Sequence, residues 1–201
     1  AAAESIPRHG PCAEGSCDAC HAAHVSAEPG LLKEKAGVVC TACHDVARAA
    51  PAGGSAHPPA SDGRCLACHQ PHASAIRPFL RADPRPLCAT CHADPEKRLA
   101  SEAAHPPAAE PGGCVTCHEP HTARAAHLLK AATPGSCLDC HDGSTPEFAA
   151  RHLGYPAAKL QCASCHDPHA SAVTGLLLPK THAPFVEGNC AACHPRPGGS
   201  P

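Results

Sequence analysis

Sixteen of the 17 cysteines stand in eight CXXC pairs, and a histidine follows every pair directly. The first four sets are Cys17, Cys20 and His21; Cys40, Cys43 and His44; Cys65, Cys68 and His69; and Cys88, Cys91 and His92. The second four are Cys114, Cys117 and His118; Cys137, Cys140 and His141; Cys162, Cys165 and His166; and Cys190, Cys193 and His194. This is the attachment signature of haem c. The two thiols add to the porphyrin vinyl groups as thioethers, and the histidine supplies the proximal imidazole to the iron. A disulfide framework would use the cysteines but gives no reason for a histidine after each pair. Zinc knuckles also combine CXXC with histidine, but in sets of four ligands at variable spacing. Eight motifs of one form predict eight covalent haems, each with its iron.

The ten remaining histidines sort by the same register. Four follow the first motif of a repeat by three residues: His24, His72, His121 and His169. Four more precede that motif by a short stretch bearing proline or glycine: His9, His57, His105 and His152. These eight are the expected distal ligands, one per iron. The chain has no methionine, so His/Met ligation is excluded and bis-histidine, low-spin haem of low potential is expected. His127 and His182 fall outside this register and Cys12 outside the motifs; the sequence gives none of the three a role. Three residues span at most about 10 Å, so His72 cannot round the porphyrin edge to the far face of the haem on His69. The four HXXH histidines must therefore serve a different haem. His57 stands 12 residues before His69, far enough to wrap, and for that class the partner stays open. An N-terminal ligand such as His9 could even reach a neighbouring copy.

Elements must hold these ligands in place, and the chain supplies them as a repeat. Alternate motifs begin at 17, 65, 114 and 162, a period of 48 or 49, the mark of a repeat architecture. The units run over approximately 1–48, 49–97, 98–146 and 147–194, followed by a tail at 195–201 that is expected to be flexible. The fourth unit carries a five-residue insertion between its motifs. Together the units are expected to form one haem-organised domain, 1–201. Proline and glycine make up 40 of 201 residues and punctuate every linker, so regular structure is predicted to be sparse. A short helical turn is expected at each motif, with short helices over Glu34 to Cys43, Pro95 to Ala104 and Pro146 to His152. No segment alternates long enough for a significant sheet. The expected fold class is mostly irregular coil with a few short helices, organised around a closely packed array of eight haems.

Composition makes the same demand. Leu, Ile, Val and Phe together number 26, or 13% of the chain, well below the roughly 20% under which chains fail to build a core. Something other than side chains must supply the interior. The balance of 16 basic to 18 acidic residues leaves no basic stripe, which excludes nucleic acid as an expected partner. The longest aliphatic run, Leu176 to Leu178, is far short of a membrane-spanning segment. The Ala1-Ala2-Ala3 start fits the small residues around a leader cleavage site, and so many thiols fit an exported chain.

The unit His57…Cys65-Leu-Ala-Cys68-His69-Gln-Pro-His72…Cys88-Ala-Thr-Cys91-His92, with a Leu-Leu pair between motifs in most units, resembles the doubled-CXXCH multihaem cytochromes c. The likeness extends over nearly the whole chain, although the first unit has Ala22-Ala23 where the others have a residue followed by proline. It implies an electron carrier or conduit of the bacterial envelope, periplasmic or extracellular. Its partners would be redox proteins or extracellular electron acceptors. Some multihaem relatives polymerise into extracellular filaments in which a histidine of one subunit ligates a haem of the next. The resemblance makes His9 the candidate for that role in a homopolymer. The alternatives are a monomeric periplasmic shuttle and a module of an outer-membrane conduit. A multihaem reductase needs an open iron, and eight distal candidates for eight irons leave none. The chain is therefore expected not to be an enzyme and to have no catalytic residues.

Overall fold

Proline decides where most helices of this chain start. The computed structural model describes residues 6–180 and 182–183. The last motif, Cys190 to His194, and the tail 195–201 lie outside the described residues. Nine short α-helices occur among the described residues: α1 (Gly10–Ala13), α2 (Ala36–Thr41), α3 (Pro58–Ser61), α4 (Pro84–Ala89), α5 (Ala93–Ser101), α6 (Pro106–Ala109), α7 (Cys114–Cys117), α8 (Gly135–Leu138) and α9 (Pro146–Arg151). Helices α1, α3, α4, α6 and α9 carry proline in the first turn, where its fixed φ suits the helix and its missing N–H has no partner to lose. His9, His57 and His105 stand directly ahead of α1, α3 and α6 in extended backbone. Their amides are left to bond elsewhere.

Each described first motif winds one turn, as expected: three residues of 3-10 helix at Cys17–Ala19, Cys65–Ala67 and Cys162–Ser164, and α7 at the third. The three described second motifs differ. There α2, α4 and α8 run into the motif and end one residue past its first cysteine. The helix expected over Glu34 to Cys43 contracts to α2, and that over Pro146 to His152 is α9 with His152 at its C-cap. The helix expected over Pro95 to Ala104 shifts to α5 and stops at Ser101. Its last two alanines are taken by strand pairing.

That pairing is the only ladder structure among the described residues, and it is minimal. Strands β1 (Ser55–Ala56), β2 (Ala103–Ala104), β3 (Thr122–Ala123) and β4 (Ala170–Ser171) form two antiparallel pairs. In β1–β3, Ser55 faces Ala123; in β2–β4, Ala103 faces Ser171. A single bridge joins Arg8 to Ala73. The fold is mostly coil with short helices, in four repeats.

Contacts divide the chain into two compact units, one of Ala1–Cys91 with Pro111–Lys130 and one of His92–Glu110 with Ala131–Pro201. The first contains β1–β3 and the Arg8 bridge; the second contains β2–β4. Among the described residues the buried apolar side chains are Ala123, Ala125 and Ala170. The chain exposes 13627 Å², against about 8,800 Å² expected of a globular chain of 20.3 kDa. No helix of the described residues is long and apolar enough to cross a membrane.

Candidate haem centres

The first motif of every repeat is fastened to the loop behind it in the same way. The Nδ1 of His21 bonds to the Gly30 carbonyl at 2.8 Å, His69 to Pro78 at 3.1 Å, His118 to His127 at 2.9 Å and His166 to Gly175 at 2.8 Å. The next residue along donates its amide to the carbonyl of Leu31, Phe79, Leu128 or Leu176 at 2.7–2.8 Å. The carbonyl of the second cysteine accepts from Lys33, Arg81, Lys130 or Leu178 at 2.8–3.0 Å. An imidazole whose Nδ1–H donates to a carbonyl keeps Nε2 unprotonated, which is the form and the atom that bind a metal.

The turn closing this loop requires left-handed backbone at Leu31, Phe79, Leu128 and Leu176, all with φ of 56–58°. The residue before is Gly30 or Gly175 in two repeats and His127 in a third, at φ 58°. His127 therefore occupies a position that glycine fills elsewhere, and it offers the loop its carbonyl. A left-handed residue with a Cβ costs about 1–2 kcal/mol, partly offset by the entropy that glycine loses. His127→Gly is expected to leave the visible haem spectrum unchanged and to stabilise the holoprotein slightly, by about 0.5–1 kcal/mol, measured by denaturant unfolding. A ligand role for His127 would instead show as loss of low-spin haem.

Histidines from distant parts of the chain come together in pairs. In the first unit, ring centroids are 5.8 Å apart for His9 and His44, 5.9 Å for His21 and His72, and 6.0 Å for His69 and His121. In the second they are 6.0 Å apart for His105 and His141 and 6.2 Å for His152 and His166. Rings in direct contact lie closer, as Phe148 and His152 do at 4.0 Å. A histidine nitrogen binds a metal at about 2 Å and the ring centroid lies ~1 Å behind it, so two imidazoles on opposite sides of one iron have centroids about 6 Å apart. The five pairs fit that requirement. Burial, then the nearby His69, holds the His121 imidazole below its ordinary pKa.

Backbone joints deliver the distal rings. The amide of His9 donates to the carbonyl of His72, His57 to His121 and His105 to His169, each at 2.8 Å. The short strands flank these bonds. Nδ1 of His57 reaches Pro120 and Nδ1 of His105 reaches Pro168, both at 3.0 Å. In the second unit Arg98 ties the joint further, bonding Asp167 at 2.8 Å, Glu102 at 3.2 Å and the Ala170 carbonyl. Burial opposes ionisation of Asp167, but the amides of His169 and Ala170 and the Arg98 guanidinium outweigh it and hold the carboxyl below its usual range.

The thiols of neighbouring motifs also meet. Burial, followed by the Cys65 thiol, pushes Cys40 up to about 11. Cys88 is raised to about 11 by burial and then by Cys114, and Cys162 is raised by burial and then by Cys137. The second motif of one repeat thus lies against the first motif of the next. No disulfide joins any of the fifteen described cysteines. No cluster of three or more His, Cys, Asp or Glu among the described residues is arranged to hold a metal ion by itself.

A protein-family model described as the doubled CXXCH motif matches residues 9–49, 57–97, 105–145 and 155–181. The chain belongs to this doubled-CXXCH family. It is a multihaem c-type cytochrome, an electron-transfer protein whose CXXCH motifs carry covalently bound haem c. No curated protein matches it. In this cytochrome the first three matched segments begin on His9, His57 and His105, but the fourth begins on Tyr155, three residues after His152. The pairs agree with that break. His9 and His105 lie against the second-motif histidine of their own repeat, whereas His152, at the end of α9, lies against the first-motif His166. His24 is exposed and makes no hydrogen bond or ring contact among the described residues. His182 is likewise exposed, and Cys12 donates only a long bond of 3.8 Å to the Pro71 carbonyl. The loop carbonyls behind the first-motif histidines carry no motif of their own, although a pair at a fixed distance after each, Leu-Leu in three repeats and Phe79-Leu80 in the second, marks them.

Proposed function

We propose that this cytochrome carries eight haems, one on each CXXCH, and passes electrons along them outside the cytoplasm. Each iron would be held by its motif histidine and a distal histidine. The assignments are His44 with His9, His21 with His72, His69 with His121, His141 with His105 and His166 with His152. The observation that carries this reading is the 5.8–6.2 Å separation of these five ring pairs. All-histidine ligation leaves no iron open to substrate, which suits a carrier rather than an enzyme. The haem supplies the one-electron chemistry when bound; the polypeptide fixes spacing, ligation and access of solvent. The contacts of Cys40 with Cys65, Cys88 with Cys114 and Cys137 with Cys162 support a relay in chain order.

The same reading extends to a polymer. Its support is the family resemblance, since some multihaem relatives polymerise through a histidine of one subunit that ligates a haem of the next. His9, the intersubunit ligand that the resemblance implies, has its ring against His44 of its own chain, so the polymeric reading does not rest on it. Replacing His121 tests the ligand pairs directly. In His121→Ala, one haem of eight is expected to become high-spin and to bind carbon monoxide when reduced, with imidazole in solution restoring the low-spin spectrum. A wholly low-spin, carbon monoxide-inert variant would remove the pair assignment.

A further inference from the structure

In three of the four repeats, a serine two residues after the HXXH histidine ties the loop behind the motif. The Ser26 hydroxyl donates to the Leu32 carbonyl and accepts from the Glu28 amide. Ser74 makes the same two bonds with Leu80 at 2.6 Å and Ile76 at 3.0 Å. Ser171 makes them with Leu177 at 2.5 Å and Val173 at 3.0 Å. Each hydroxyl thus clasps the two arms of its own loop. The third repeat has Ala123 at this position and cannot do so.

The missing hydroxyl comes from the second repeat. Ser55 faces Ala123 across the β1–β3 pair. Its hydroxyl donates to the Ala125 carbonyl at 2.7 Å and accepts from the Leu128 amide at 2.8 Å. Ala125 and Leu128 correspond to Val173 and Leu176, 48 residues on, so the same two arms are clasped with donor and acceptor exchanged. Gly54 lets the strands come this close, since a Cβ there would collide with the Ala123 carbonyl oxygen. The other two joints have the opposite arrangement. Ala103 faces Ser171, and beside the Arg8–Ala73 bridge the Ser74 amide donates to Pro7 at 3.2 Å. Each joint holds one serine at this level, on one strand or the other.

The placement of Ser55 reaches the proximal histidine. The Leu128 amide and the His127 carbonyl are two ends of one peptide group, and that carbonyl bonds Nδ1 of His118 at 2.9 Å. Ser55 therefore holds one edge of the peptide plane and His118 the other. A peptide whose N–H donates is a better acceptor at its carbonyl, and a stronger acceptor on Nδ1–H makes the imidazole a stronger donor at Nε2. This loop also has more need of a clasp. His127 and Leu128 are both left-handed and both carry a Cβ, where the first and fourth repeats have Gly30 and Gly175 in the first of the two positions.

We propose that Ser55 is a positioning residue for the haem attached at Cys114 and Cys117: one repeat supplies the hydroxyl that orients the proximal ligand of the next. The inference rests on the reading that His118 is the proximal ligand of a haem there. A firmer bond to Nδ1 favours ferric iron and so lowers the potential of that haem.

The test compares three full-length holoproteins: wild type, Ser55→Ala, and Ser55→Ala combined with Ala123→Ser. Ser171 shows that a serine fits the buried position of Ala123. In Ser55→Ala, hydrogen exchange over residues 125–129 should quicken roughly fivefold, as loss of one hydrogen bond implies. One midpoint potential should rise in a spectroelectrochemical titration while the others stay. A serine that only joined the strands would quicken exchange and move no potential. The double variant regains a serine on its own loop and should return both readings towards wild type. Unmoved potentials in Ser55→Ala would overturn the inference. So would a double variant no nearer to wild type than the single one. If Ser55→Ala alone fails to mature, recovery of the holoprotein by Ala123→Ser supports the assignment and its absence overturns it. A wild-type peptide spanning Cys114 to His118 without the mass of haem would instead remove the reading of His118, and this inference with it.

Discussion

Produced without haem attachment, this chain is expected to show no cooperative thermal transition by circular dichroism or calorimetry, whereas the holoprotein melts cooperatively. The buried apolar side chains among the described residues are three alanines, each worth only on the order of 1 kcal/mol of transfer. Ordering a backbone residue costs about 1–2 kcal/mol, so such a core cannot offset the chain's own entropy. The helices give little help, since the longest described, α5, has nine residues and isolated helices below about 12 residues are marginal in water. Each haem also links the two cysteines of its motif, and under the proposed ligation two histidines, so its attachment restricts the unfolded chain while it fills the folded one, as metal binding does in small metal-dependent domains. A sharp melt in the haem-free chain would mean that the polypeptide has a core of its own.

The haem motifs and their repeat were legible because covalent chemistry fixes both residue type and spacing. The bar on His72 serving the haem of His69 was legible too, since it follows from the reach of three residues, and the structure sets His72 beside His21. The partner of the His57 class was not legible. Twelve residues permit wrapping or crossing, and the choice depends on where the joint holds the backbone. There His9 crosses to the second motif of its own repeat. The joints themselves were hidden because their strands are two residues long and built from Ser-Ala, Ala-Ala and Thr-Ala, which carry no alternation to read. The helix expected to run through Ala104 failed for the same reason: alanine favours helix locally, but β4 takes Ala103 and Ala104. His152 broke register because the stretch to Cys162 is longer than in the first repeat and turns through left-handed backbone at Leu153 and Gly154.

Gly37→Ala is expected to destabilise the holoprotein and to separate the haems on Cys40 and Cys65, although alanine is the better helix former. Gly37 is buried in α2, one turn ahead of Cys40. A Cβ there would stand 2.7 Å from the Gly63 Cα and 3.0 Å from its carbonyl oxygen. Gly63 has no room to retreat: its own φ is +71° and the Arg48 guanidinium lies behind it, fixed by bonds from Nε and Nη2 to the Ser61 carbonyl at 3.2 and 2.9 Å. Helix propensity would gain about 1 kcal/mol, while overpacking costs about 1–3 kcal/mol. Here backbone meets backbone, so no rotamer change relieves the clash and the cost should fall at the upper end. The net loss is about 1–2 kcal/mol, read as a lower melting temperature. The two cysteines follow the two glycines by three and two residues, so any opening passes directly to the thioether edges of the haems. The measurement is the exciton-coupled circular dichroism of the Soret band, whose couplet should weaken in Gly37→Ala. Gly135→Ala in α8 is the control, because its Cβ would meet only the Ala131 Cβ at an ordinary 3.8 Å. That variant should keep the couplet and lose no stability. An unchanged couplet in Gly37→Ala would show that the close approach of Gly37 to Gly63 does not set the distance between those haems.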